Sequence, residues 1–85
     1  MSYPLGMRQS ALLAADEYLI MRFNEEPFLN WVSAPEMRRH LRSLRFDELA
    51  ADRAFLGLYR SGLWEYMWNE SQALYEIRPP EIYRT

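Results

Sequence analysis

The stretch Leu63-Trp64-Glu65-Tyr66-Met67-Trp68-Asn69-Glu70-Ser71-Gln72-Ala73-Leu74-Tyr75-Glu76-Ile77 decides how this chain is read. It contains neither Gly nor Pro, and Pro79-Pro80 closes it. Wound at about 100° per residue, Leu63, Tyr66, Met67, Ala73, Leu74 and Ile77 form one apolar stripe. Trp64, Trp68 and Tyr75 form a second stripe beside it. Only Glu65, Asn69, Gln72 and Glu76 make a clear polar side. The spacing predicts a helix from Leu63 to Ile77 whose apolar surface exceeds the arc, roughly 100° or somewhat more, that a surface helix needs. Such a helix lies at the centre of a bundle or offers its second stripe to another molecule. Trp and Tyr are typical anchors of protein interfaces.

The segments before it also read as helices. Gly62 suits a left-handed stop, and Asp47 suits the cap of a helix over Glu48–Ser61. Ser33-Ala34-Pro35-Glu36 has the pattern of a capping box with Pro in the first turn, opening a helix to about Leu44. Nothing at Arg45-Phe46 forces a break, so these two helices could be continuous. Arg8–Phe23 holds good helix formers, and Asn24-Glu25-Glu26-Pro27 interrupts them before a short helix over Glu25–Val32. No segment alternates with period two over a useful length, and Trp31-Val32 is too short to count. The expected fold is all-α: one compact antiparallel bundle of four to five short helices over 1–85, with 1–6 and 79–85 as flexible or extended ends.

Composition sets the limits. The 85 residues are 49% hydrophobic and 15% aromatic, enough for a core without disorder. The absence of Cys excludes disulfides and thiolate metal sites, and it suits the cytoplasm. A formal charge of -2 argues against bulk binding to nucleic acid or anionic membrane. No segment approaches the roughly 20 apolar residues of a membrane span. No leader pattern opens the chain.

Two groups of residues stand out chemically. Met37, Leu41 and Leu44 share one helix face, and Arg38, Arg42 and Arg45 share another, with Arg39 nearby. A bidentate guanidinium can hold carboxylate or phosphate, although charge runs on helices usually form a solvated face, here beside Glu36, Asp47 and Glu48. Asp16, Asp52 and Glu70 fall among apolar neighbours, and His40 flanks the Met37 face. Facing carboxylates with an imidazole could bind metal, but the Glu-x-x-His pairs of di-metal bundles are missing. Pairing of each acid with an Arg such as Arg22 or Arg53, or a place at a helix end, is the favoured reading. The isolated glycines make no phosphate loop. Ser43, His40 and Asp47 make no nucleophile elbow. So short a bundle also has little room for a substrate cavity. No metal, cofactor or catalytic residue is assigned.

The segment Leu58-Tyr59-Arg60-Ser61-Gly62, after an acidic helix start at Asp47-Glu48, resembles the small helical subunits of extradiol ring-cleavage dioxygenases. Those subunits cover the active site of a larger catalytic chain. The resemblance spans under a quarter of the sequence, and Ala54 stands where that family usually has an acid. It implies an accessory, lid-like role.

The resulting expectation is a non-catalytic protein-interaction module: an inhibitor, assembly factor or accessory subunit. Its protein-binding residues are Trp64, Trp68 and Tyr75, with Arg38, Arg39, Arg42 and Arg45 orienting the partner. Self-association through the aromatic stripe is compatible with it. The rivals are the lid subunit and a nucleic-acid binder using the Arg helix.

Overall fold

The stretch that reads as a last helix is a β-hairpin. In a computed structural model, which describes residues 10–79, the elements run α1 (Ala11–Glu25), β1 (Val32–Ser33), α2 (Ala34–Ser43), α3 (Glu48–Ser61), β2 (Glu65–Asn69) and β3 (Leu74–Arg78). The three strands form an antiparallel sheet in the order β1-β3-β2. The all-α bundle of four to five helices is therefore corrected to three helices packed with a small sheet. The expected ends, 1–6 and 79–85, lie outside the described residues except for Pro79.

Local chemistry explains the hairpin. Asn69 Oδ1 accepts from the Gln72 amide (3.0 Å) and from Ser71 Oγ (2.9 Å), folding the chain over residues 70–73. Ala73 takes φ 55°, a left-handed position that a continuous helix cannot contain. Beyond the turn, Trp68 faces Tyr75 and Tyr66 faces Ile77, with Val32 on the far side of Ile77. Aromatic and β-branched cross-strand pairs of this kind stabilise antiparallel ladders. Val32-Ser33 forms an edge strand because Ile77 and Glu76 supply its ladder. The short helix expected over Glu25–Val32 is absent, and residues 26–31 run as loop and turn.

The helix boundaries follow the caps. Ser10 Oγ accepts from the Leu13 amide, Ser33 Oγ from the Glu36 amide (3.1 Å) and Asp47 Oδ1 from the Ala50 amide (2.8 Å). Glu36 does not return a bond to Ser33; its carboxylate turns to Tyr18 and Arg22 instead. α2 and α3 are separate, because Arg45 adopts φ 74° just after Leu44 caps α2. Gly62 ends α3 at φ 73°.

Small residues set the helix packing. Ala15 and Leu19 of α1, Met37 and Leu41 of α2, Ala51, Ala54 and Leu58 of α3, and Val32 and Ile77 of the sheet share one core. Val32, Tyr66 and Ile77 lie on the sheet face turned toward this core, and Trp64 and Tyr66 are partly buried against it. Trp68 and Tyr75 continue that face two residues further, where cover runs out: they are 53% and 49% exposed.

Candidate interaction groove

The end of the sheet's inner face meets α2. Pro35, Arg38, Arg39 and Arg42 line one side of an open groove of about 460 Å³, and Trp68, Leu74 and Tyr75 line the other. Trp68 and Tyr75 touch edge to face, their ring centroids 5.0 Å apart at 65°. Tyr75 adjoins Tyr66 (6.3 Å), which adjoins Tyr59 (6.2 Å). Two exposed rings thus lead through the partly buried Tyr66 to a third exposed ring, Tyr59.

The arginines differ in their commitments. Arg38 donates to Asp52 Oδ1 (3.0 Å), and its guanidinium lies 4.8 Å from the Phe55 ring centroid. Arg42 donates to Glu48 Oε2 across 3.2 Å between two exposed side chains. Arg39 is exposed and makes no hydrogen bond or ion pair among the described residues; its charge acts on Glu36 at longer range. Arg45 has left the helix and does not line the groove.

The remaining sequence candidates lie elsewhere. Trp64 points inward: its Nε1 donates to Asp16 Oδ1 (2.7 Å), and its ring stacks on Phe23. Asp16 therefore pairs with an indole, not with Arg22 or Arg53. Asp52 pairs with Arg38, and Glu70 is exposed in the hairpin turn. His40 stacks on Tyr18, ring centroids 3.9 Å apart. No group of three metal-ligating side chains comes together among the described residues.

A polar knot between α1 and α2 escaped the sequence reading. Glu36 Oε2 accepts from Tyr18 Oη (2.6 Å) and Arg22 Nε (2.7 Å), and Arg22 also binds Glu26. Burial pushes the Glu36 carboxyl up, but the bonds from Arg22 and Tyr18 outweigh it and hold it below its ordinary value. Burial, then the Glu36 carboxylate, push the Tyr18 phenol up; burial pushes the His40 imidazole down. Beside this knot lies a larger open groove of about 840 Å³, flanked by Phe28, which is 94% exposed. Room for a ligand is thus greater than so short a chain led one to expect, although both grooves are open.

α2 and α3, joined by residues 44–47, have the connectivity of a helix-turn-helix. The outward residues of α3 are mixed: Leu49, Leu56 and Tyr59 are exposed, Asp47 and Glu48 stand at its start, and Asp52 follows one turn on. None of the helices is long and apolar enough to cross a membrane among the described residues. Comparison with protein-family models, with curated proteins and with solved structures finds no match for this chain.

Proposed function

We propose that the protein is a non-catalytic interaction module that docks an acidic segment of a partner protein into the groove between α2 and the hairpin. One observation carries this reading: the half-exposed Trp68–Tyr75 pair lies directly beside the arginines of α2. Aromatic rings supply desolvated contact area at low entropic cost, and arginine supplies a fork that fits carboxylate. Arg39 is the natural first ligand, since it has no bonded acid among the described residues. Arg38 and Arg42 hold their acids in exposed bridges, which are worth only about 0–1 kcal/mol each. Exchange of Asp52 or Glu48 for a partner carboxylate therefore costs little. We place the protein in the cytoplasm, which a chain without cysteine suits.

The helix-turn-helix connectivity supports a second reading, nucleic-acid binding. The charges favour it less. The helix that would enter a groove begins with Asp47 and Glu48 and carries Asp52, where a backbone of phosphates calls for cations. The lid-subunit reading rests on the short Leu58-Tyr59-Arg60-Ser61-Gly62 resemblance, and the sheet departs from the small helical subunits it resembles.

Selection from a displayed random-peptide library tests the proposal. The wild type should enrich peptides bearing Asp or Glu beside an apolar residue. Arg39→Glu and Trp68→Ala should each lose them while keeping wild-type circular dichroism. No enrichment, or enrichment indifferent to both substitutions, overturns the proposal. Salt-sensitive retention of a DNA duplex with no peptide enrichment would favour the second reading instead.

A further inference from the structure

The sheet has two edges. β1 offers only two residues on one of them. β2, five residues long, forms the other, and among the described residues no strand pairs with its outer side. A free edge is a template for another strand, and proteins that must stay single usually guard it with lysine, proline or a bulge. β2 has none of these: its sequence is Glu65-Tyr66-Met67-Trp68-Asn69.

We propose that β2 pairs antiparallel with β2 of a second copy, giving a closed two-fold dimer with one six-stranded sheet. The sequence of β2 is complementary to itself in one register. Residues directly opposite must share a sheet face, so the pairing that uses all five residues centres on Met67. Met67 then meets Met67 of the second copy, Tyr66 meets Trp68, and Glu65 meets Asn69. The strand's one charge faces a neutral amide, so no like charges oppose each other. On the inner face the row Tyr75–Trp68 is continued by Tyr66 and Ile77 of the other copy. The exposed rim of Trp68 finds apolar cover there, and on the other face Met67 (45% exposed) is covered by Met67 of the second copy. Pairing is isologous and leaves no β2 edge open, so assembly stops at two chains. This inference shares Trp68 and Tyr75 with the acidic-segment reading but not Arg39, so Arg39→Glu should abolish peptide capture and leave the doubled mass unchanged.

Sedimentation across a dilution series tests it. The wild type should rise from the 10.3 kDa of one chain toward twice that mass with concentration. Met67→Lys and Met67→Glu, substitutions at an exposed position, each place like charges at the two-fold and should remain single chains. An equal mixture of the two should recover the doubled mass. In a half-labelled wild-type sample, isotope-filtered spectra should show Tyr66 of one copy against Trp68 of the other, a readout that needs no variant to fold. A wild type that stays single at every concentration overturns the proposal. So does a doubled mass that survives both substitutions, or a wild-type dimer without the Tyr66–Trp68 contact.

Discussion

The indole Nε1 of Trp64 donates to Asp16 Oδ1 across 2.7 Å, binding the root of the hairpin to a helix 48 residues earlier. The three aromatic residues that read alike in the sequence therefore divide. Trp64 belongs to the packing of the fold, and Trp68 and Tyr75 belong to its surface.

This division predicts unequal costs of truncation. Asp16→Ala leaves a partly buried N–H without its acceptor and should lower stability by about 1–3 kcal/mol. Trp64→Ala also removes the ring from the core and should cost about 3 kcal/mol. Trp68→Ala should stay within about 1 kcal/mol. Urea denaturation of the three variants checks the order, and a loss at Trp68 equal to that at Trp64 would contradict it.

Acid should weaken the fold in two stages. His40, the only histidine, is held below its ordinary 6.5 by burial. Above that pH the ring is neutral in both states. As pH falls through 6.5, the unfolded chain takes the proton first, and stability drops until the folded value is passed. Glu36 follows lower down. Its net depression contributes stability above the ordinary carboxylate value of 4.5, and this is lost as pH falls through the folded value. Urea midpoints against pH should show both stages, and His40→Gln should remove the upper one. An imidazole proton signal titrating at or above 6.5 would contradict this account.

Gly57 of α3 lies against Leu12 of α1. A Cβ there would meet Leu12 Cδ1 and Cδ2 at 3.1 Å, but Leu12 is 40% exposed and has solvent to swing into. Gly57→Ala should therefore gain most of the helix-propensity difference, about 0.5–1 kcal/mol. A lower melting temperature would mean that Leu12 cannot yield.

Tyr66 holds its hydroxyl buried with no hydrogen-bond partner among the described residues. Burial accordingly pushes its phenol pKa far up. Tyr66→Phe removes an uncompensated polar group at constant shape and should raise stability by up to about 1 kcal/mol. A clear loss would show that the hydroxyl has a partner.

The sequence displayed its helix caps openly. Ser33 and Asp47 each act through an amide three residues on, and Gly62 acts through its own left-handed backbone, so spacing and residue type reveal them. The hairpin was harder to read because two periods overlap in it. Leu63, Tyr66, Met67, Leu74 and Ile77 fit a helical stripe, but Trp64, Tyr66 and Trp68 also recur at every second position. Asn69 with Ser71 and Gln72 was the turn signal that separates the two, since its side chain ends the strand by accepting backbone and hydroxyl protons. β1 could not be read locally at all, because its ladder comes from residues more than forty positions away. The groove was legible as two halves. Arg38, Arg39 and Arg42 were found on α2, and Trp68 and Tyr75 on the other segment, but only the fold brings them together. Pro35 and Leu74 join them through tertiary placement.

The groove and the β2 edge exist only if residues 65–78 fold back on themselves. Backbone NMR assignment of the full chain measures this directly. The account predicts strand-like Cα shifts over Glu65–Asn69 and Leu74–Arg78, with cross-strand contacts of Tyr66 with Ile77 and of Trp68 with Tyr75. An unbroken run of sequential amide contacts with helical Cα shifts from Leu63 to Ile77 would contradict it.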